Sequence, residues 1–448
     1  MRVRFWGTRG SIATPGPSTL RYGGNTSCVE LVTNSGYRFI LDAGTGIRPL
    51  GLKLLDDSKG SPIQATILLG HTHWDHIQGF PFFMPAFEPG NKFTVVAPQG
   101  MGRSLGDVLS GQMEFTYFPV ELDQLPARIQ FRELGEGIFD FGDAKLFTQY
   151  INHPAPALGY RIEADGVIVV YLCDHEPFSE VLWREGASPG RPDSILHQGD
   201  HRHANFMRHA DLVIHDAQYT PEEYPSKRNW GHSTFEYVVE LAAMSDVRQL
   251  ALTHHDPTHD DTSIADIERR ARNLARRRNF LMHVFCAYEG LEMGVTGVDT
   301  DRVRTIDLDP AAPTTMKKLK VLIVDDDPNL RLLAGAALKR DGYEILEAED
   351  GIEGLKQYAD HRPDVIVLDL DMPRLNGIET LRRLRSASSA AKDVPVLILT
   401  AHGDEASTRA GFGVGATDYL AKPFTPPQLC SRVRACIGRA VAATATRG

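Results

Sequence analysis

Four residues able to bind a metal fall within six positions at His71-Thr72-His73-Trp74-Asp75-His76. Neutral imidazoles and a carboxylate are the donor set of zinc and its first-row neighbours. Surface loops with ordinary histidines rarely carry this density of donor types, so the stretch reads as a metal site. A second constellation of another kind lies downstream. Apolar runs there end in polar groups: 321–324 in Asp325-Asp326-Asp327, 364–368 in Asp369, 396–399 in Thr400, and 419–421 in Lys422-Pro423. Carboxylates, a hydroxyl and an ammonium gathered in one place suit a magnesium ion and a phosphoryl group.

The elements that must position these groups are legible in the same pattern. Residues 65–70 form an apolar run ended by glycine, a buried strand whose exit turns the chain beyond the sheet edge. Earlier strands are expected near Val3 and Phe5, at 28–32 and at 37–41, separated by Gly7-Thr8-Arg9-Gly10-Ser11 and Gly23-Gly24-Asn25-Thr26-Ser27. Residues 77–87, broken by Pro81 and Pro85, predict a short helix that walls the site. Later strands are expected at 144–151, 166–172, 211–217 and 249–253, with an amphipathic helix over 235–244 capped by Ser233. The Gly-, Pro- and His-rich stretch 176–210 reads as a loop, a lid or a surface insertion. Arg269, Arg270, Arg272, Arg276, Arg277 and Arg278 read as the solvated face of a helix rather than a nucleic-acid patch. From Leu319, near-continuous apolar strands alternate with helices. That means a parallel sheet covered on both faces, with its ligand site at the carboxyl edge. The expected division is therefore a first domain over 1–305, a linker over 306–318, a second domain over 319–438 and a tail over 439–448.

The chain of 448 residues exceeds one ordinary core, and 42% hydrophobic with 24% charged residues is a globular composition. No apolar run approaches the roughly 18 residues of a membrane span, and the start lacks a signal-peptide core. Five scattered cysteines, Cys28, Cys173, Cys286, Cys430 and Cys436, without Cys-x-x-Cys spacing, argue for reduced thiols in the cytoplasm. The net charge is −10, and the acidic excess lies before residue 312, so no broad basic field collects a polyanion.

His71, His73, Asp75 and His76 resemble the His-x-His-x-Asp-His signature of the metallo-β-lactamase superfamily, with Trp74 in the variable slot. The resemblance implies an α/β fold, an αββα sandwich, and further site residues. His153, in Asn152-His153-Pro154, takes the place of the third histidine of one metal. Asp174, in Cys173-Asp174-His175, takes that of the bridging carboxylate, leaving His175 as an extra residue of structural use. Asp42, in Asp42-Ala43-Gly44, takes the place of a carboxylate that orients a ligand histidine from behind. His215-Asp216-Ala217, Gly231-His232-Ser233-Thr234 and His254-His255-Asp256-Pro257 are similar to motifs of the phosphodiesterase and tRNase Z-like branch, with Asp216 standing for Glu. Of the last pair, His254 is the expected ligand and His255 its neighbour. The implied site holds two divalent transition metals, zinc first, manganese or iron otherwise: His71, His73 and His153 on one, Asp75, His76 and His254 on the other, Asp174 between. Asp75 would orient the attacking water, and His232, oriented by Asp216, would protonate the leaving oxygen. For Arg9 and Arg21 a phosphate contact stands against a surface or packing role, and the second is the readier reading. His259, Asp260 and Asp261 receive no role.

From Leu319 onward the chain resembles a response-regulator receiver domain, a flavodoxin-like (βα)5 fold. That resemblance makes Asp369 the phospho-acceptor, with magnesium held by Asp325, Asp326 and the backbone of Asp371. Thr400 and Lys422 would contact the phosphoryl group, and Tyr419 fills the aromatic switch position. It also implies a histidine kinase as phosphodonor and makes the hydrolase the output. Fold alone does not choose the substrate, because lactonases, thioesterases, nucleases and phosphodiesterases share this scaffold. The acidic first domain and the lack of a lysine-rich arm between Asp174 and His215 favour a small phosphodiester, such as a cyclic nucleotide, over tRNA. A tRNase Z-like nuclease, another hydrolase, or a metal-containing module without activity are the alternatives. No membrane is expected as partner; dimerisation is an open route of control.

Overall fold

Strands buried on both faces need cover on both sides, and the N-terminal part of the chain supplies it in four layers. The first sheet contains β1 (Arg2–Gly7), β2 (Cys28–Val32), β3 (Arg38–Leu41), β4 (Gln64–Leu68), β5 (Lys92–Pro98), β6 (Arg128–Leu134) and β14 (Glu292–Gly294), in the order β14-β1-β2-β3-β4-β5-β6. The second contains β7 (Gly137–Phe141), β8 (Ala144–Tyr150), β9 (Leu158–Ala164), β10 (Val167–Leu172), β11 (Leu212–Asp216), β12 (Gln249–Thr253) and β13 (His283–Cys286), in the order β13-β12-β11-β10-β9-β8-β7. β10 shows how the layers arise. Val167, Val169 and Tyr171 join a core shared with Val3, Phe39, Leu41 and Leu68 of the first sheet, whereas Ile168, Val170 and Leu172 join one shared with three helices. Those helices are α4 (Gln198–Met207), α5 (Phe235–Met244) and α6 (Asp261–Arg277). On the opposite side α1 (Ile47–Ser58) and α3 (Leu105–Gln112) cover Ile40, Ile67 and Val95. Each fully buried side chain of this kind stabilises the fold by about 2 kcal/mol. The αββα sandwich expected from the sequence is the architecture observed.

The computed structural model describes residues 1–100, 103–178, 182, 195, 197–297, 319–340, 343–387, 394–401, 414–424, 426, 428–430, 432, 433 and 436. The chain divides into two units, Met1–Leu308 and Asp309–Gly448. The expected boundary at 305, the linker 306–318 and the tail 439–448 lie outside the described residues. Three local expectations change. Residues 77–87 form no single helix: one turn, α2 (Trp74–Ile77), is followed by two 3₁₀ turns at Phe80–Phe82 and Met84–Phe87, each with Pro in its first turn. The cap of α5 is Thr234, whose hydroxyl accepts from Tyr237 N–H, while Ser233 donates to His175 O. The stretch 176–210 contains α4 rather than loop alone. Among the described residues no helix is long and apolar enough to cross a membrane.

In the second unit β15 (Lys320–Val324), β16 (Glu344–Ala348), β17 (Val365–Asp369), β18 (Val396–Ala401) and β19 (Asp418–Lys422) form a parallel sheet in the order β16-β15-β17-β18-β19. Its described helices are α7 (Pro328–Arg340), α8 (Gly351–His361) and α9 (Gly377–Ala387). Val321 and Ile323 pack on one face and Leu322 and Val324 on the other. The order reverses between β15 and β17, which places a ligand crevice at their carboxyl ends.

Candidate metal centre and phospho-acceptor site

Histidine and aspartate reach one point because several strands end at the same edge. β3 ends at Leu41, and Asp42 takes φ +61°; β10 leads to Asp174 at φ +63°, and β12 to His254 at φ +59°. Such left-handed residues cost on the order of 1 kcal/mol each, and short polar side chains tolerate them best. The gain is a sharp turn directly after a strand. Asp42 then binds three groups: its Oδ1 accepts Gly70 N–H at 2.7 Å, and its Oδ2 accepts His76 Nδ1–H at 2.7 Å and the Tyr171 hydroxyl at 2.6 Å.

Three histidines are oriented in the same manner. Nδ1 of His76 donates to Asp42, Nδ1 of His153 donates to Gly231 O at 3.1 Å, and Nδ1 of His254 donates to Gln218 Oε1 at 2.9 Å. Each ring is thereby left with a bare Nε2, the tautomer a metal requires. Two of these rings also dictate glycine nearby. A Cβ on Gly231, at φ +91°, would lie 2.1 Å from His153 Nδ1, and one on Gly10 would lie 2.4 Å from His254 Nδ1.

The donor atoms fall into two groups that share Asp174. His71, His73, His153 and Asp174 offer atoms all within 4.8 Å of one another, and so do His76, Cys173, Asp174 and His254. Asp75 joins the second by proximity, its Oδ2 lying 3.0 Å from His254 Nε2 and 3.3 Å from His76 Nε2 while accepting Ser11 N–H at 2.8 Å. Both nitrogens of His71 and Nε2 of His76 are buried without a hydrogen-bond partner. Uncompensated buried donors and acceptors are costly, so this donor set fits a pair of divalent cations. Burial opposes charge on His76, yet Asp75, Asp174 and Asp42 outweigh it and hold its pKa well above the usual range. His71 moves the other way: burial, and then the neighbouring imidazoles of His76 and His153, push it well below. Burial likewise lowers His153 to about 3. Asp174 is held well below the carboxylate range, because His254, His76 and His232 around it outweigh burial.

His232 stands over the shared carboxylate without a hydrogen bond at Nδ1, 4.0 Å from Asp174 Oδ2 and 3.6 Å from Asp216 Oδ2. Burial would lower its pKa, but Asp174 and Asp216 raise it above the usual value. Asp216 spends its oxygens mainly on backbone, accepting Ser233 N–H at 2.9 Å and His175 N–H at 3.1 Å. Asp216 thus meets His232 through a contact longer than a hydrogen bond and through the turn that it ties at Ser233.

In the second unit, atoms of Asp325, Asp326 and Asp369 lie within 4.8 Å of one another. Lys422 Nζ sits 2.8 Å from Asp325 Oδ2 and 2.9 Å from Asp369 Oδ1. Burial raises the Asp369 pKa in spite of that lysine. Thr400 is buried, whereas Asp371 is exposed and Tyr419 is 38% exposed.

Residues 321–434 match the response regulator receiver domain, and residues 37–255 match the β-lactamase superfamily domain. The chain carries both domains. Over 121 residues it is 43% identical to the response regulator MprA of Mycobacterium sp. (strain KMS), a match covering 27% of this chain and 51% of that protein. It thus spans about half the length of the curated relatives it matches. Among solved structures it is similar to a diphosphatase of the PhnP family, with 18% identity and a TM-score of 0.45 over 66% of this chain and 98% of that one. It is also similar to human tRNase Z, short form, with 19% identity and a TM-score of 0.43 over 66% and 100%.

Other residues of the β-lactamase-superfamily domain are placed as follows. Arg9 takes the packing role weighed against a phosphate contact: it is fully buried and donates to the carbonyls of Gly23, Asp256 and His259. It is a brace, closed to substrate. Arg21 lays its guanidinium over the Tyr22 ring at 5.0 Å. His255 donates to Ala287 O at 2.9 Å, and His175 stacks on His203 at 3.6 Å. His259 pairs with Glu223 at 2.7 Å, Asp260 caps α6, and Asp261 accepts the N–H groups of Arg21 and Tyr22. Arg270 and Arg278 of the basic cluster pair with Glu222 and Glu240. Sequence reasoning passed over Gln218, Ser11 and Cys173. Gln218 was within reach, directly following the His215-Asp216-Ala217 motif.

Proposed function

We propose that the β-lactamase-superfamily domain is a dinuclear-metal hydrolase of a small phosphodiester of the cyclic-nucleotide type, controlled through Asp369. What carries the reading is the pair of donor groups sharing Asp174, with His232 over that shared carboxylate. His71, His73 and His153 would hold one cation, Asp75, His76 and His254 the other, with zinc first and manganese or iron also suited to the set. Such a pair, when bound, lowers the pKa of a water and withdraws charge from phosphoryl oxygens. The chain's own residues supply the rest. Asp75, fixed by Ser11 N–H, orients the water, and His232, its pKa raised by Asp174 and Asp216, passes a proton to the leaving oxygen. Asp216 holds the turn that presents His232.

On the receiver side the reading is supported by the cluster of Asp325, Asp326 and Asp369 and by Lys422 beside it. Asp369 would take a phosphoryl group from a histidine kinase, and Asp325, Asp326 and the Asp371 backbone are the groups that would hold the magnesium that offsets its charge. Lys422 and Thr400 contact the added oxygens, and Tyr419 responds.

The test is hydrolysis of bis-p-nitrophenyl phosphate with added zinc or manganese. Activity is expected in the wild type and a loss of at least about a hundredfold in His73→Ala. No turnover with any metal would favour a binding module. Precursor tRNA and cyclic AMP offered side by side decide between nuclease and small-substrate enzyme, and the acidic domain predicts the second.

A further inference from the structure

Trp74 is 68% exposed and Trp230 is 58% exposed. Large aromatic rings left in water next to a catalytic centre call for an occupant. Both indoles are rooted in the metal centre itself. Trp74 follows His73 and Trp230 precedes Gly231, and these two neighbours touch the two nitrogens of one ring. His153 Nε2 lies 3.2 Å from His73 Nδ1, and its Nδ1 donates to Gly231 O at 3.1 Å. Each tryptophan is therefore the chain neighbour of a residue that touches the same imidazole.

Trp230 is also the outer end of a wall. Lys227 Nζ lies 4.5 Å from the centre of its ring and 5.9 Å from that of Tyr219. The Tyr219 ring meets His232 edge-on, with centroids 5.8 Å apart. At this inner end the Tyr219 hydroxyl is buried without a hydrogen-bond partner. A donor left so is satisfied when an acceptor enters beside it. From the surface inward the wall offers a flat ring, a cation, an unused hydroxyl and then the residue over Asp174. That is the order of a base, a sugar and a phosphate.

We propose that Trp74 and Trp230 stack the base of a nucleotide substrate, with Lys227 and the Tyr219 hydroxyl on its sugar-phosphate side. The inference rests on the phosphodiesterase reading above and narrows it to nucleotides over phosphodiesters that lack a planar ring. Every base has a π-face, so stacking recognises the class without choosing the base. The ammonium of Lys227 against Trp230 leaves the other face of the indole to the ligand.

The experiment uses the metal-loaded full chain and compares kcat/KM for the best-cleaved of a panel of cyclic and linear nucleotides with that for glycerophosphoethanolamine, which has no aromatic group. Trp74→Ala and Trp230→Ala are expected to lower the ratio about tenfold or more, mainly through KM, and Trp→Phe to restore most of it. Equal losses on both substrates would overturn the proposal. Independently, adenosine monophosphate is expected to quench the intrinsic fluorescence, glycerol 3-phosphate is not, and the quench is expected to shrink in Trp230→Phe. Absence of a quench specific to the nucleotide overturns the proposal as well. Failure to cleave bis-p-nitrophenyl phosphate would sink the phosphodiesterase reading instead, and the fluorescence comparison would still decide whether a base stacks here.

Discussion

At the scale of single residues, the groups behind the donors deserve as much weight as the donors. Asp42 fixes the tautomer of His76, ties down the Gly70 turn and takes the Tyr171 hydroxyl, all while fully buried. Asparagine at this position keeps the size but only one accepting oxygen, so its NH2 group must face either Gly70 N–H or the His76 and Tyr171 donors, and one side loses its acceptor. Asp42→Asn should therefore weaken metal binding about 10–100-fold at the group containing His76, with the group around His71 much less affected. Zinc titration against a competing chelator reads this as one weakened equivalent of two; two equally tight equivalents would remove Asp42 from the account. The same logic explains why Gln218 matters although it bears no charge: its Oε1 leaves His254 only one nitrogen to offer.

Elements explain what could and could not be read from the chain. β10 and β4 were legible because their burial on both faces writes a continuous apolar run, and each run ends where a functional residue begins. α4 was hidden for the opposite reason. Its buried face includes Asp200 and His203, so the apolar period that announces a helix is interrupted by polar letters. β16 is an edge strand with exposed Glu344 and Glu347, and it writes no such run either. The partners of Arg9 were not legible because the three carbonyls that bind it come from distant parts of the chain, and a short motif cannot show them. The polar face of α4 has a measurable consequence. Burial, and then His215, push the pKa of His203 well below the usual histidine value, so the folded chain keeps it neutral. The unfolded chain takes up a proton near pH 6.5, so this group's stability contribution is complete above that pH and falls as pH drops below it. The loss is at most about 1.4 kcal/mol per pH unit. Urea unfolding at pH 7.5 and 5.5, with chelator throughout, should show a smaller acid loss in His203→Phe than in the wild type; equal losses would show that His203 does not titrate in this way.

At the scale of the whole molecule, a β-lactamase-superfamily domain and a receiver domain are joined in one chain, and the proposed function has the second bias the first. The receiver carries the parts of a switch: Lys422 bridges Asp325 and Asp369, Thr400 is buried at the end of β18, and Tyr419 stands half-exposed on β19. A phosphoryl group on Asp369 replaces the single carboxylate charge by roughly −1.5 to −2 on the phosphoryl oxygens beside that lysine and gives it a stronger partner than Asp325. On the proposed function the face made by Thr400 and Tyr419 then repacks and changes either access to the metal centre or self-association. A tenfold change in turnover requires about 1.4 kcal/mol of difference between the two states, well within what one charge-assisted hydrogen bond supplies. Turnover and sedimentation of the full chain, each measured with and without beryllofluoride in the presence of magnesium, should therefore differ. Asp369→Asn should abolish the difference, because it removes the acceptor oxygen while leaving the metal centre untouched. Identical rates together with an identical oligomeric state would separate the two domains functionally, leaving the receiver as a phosphate sink and the hydrolase constitutive.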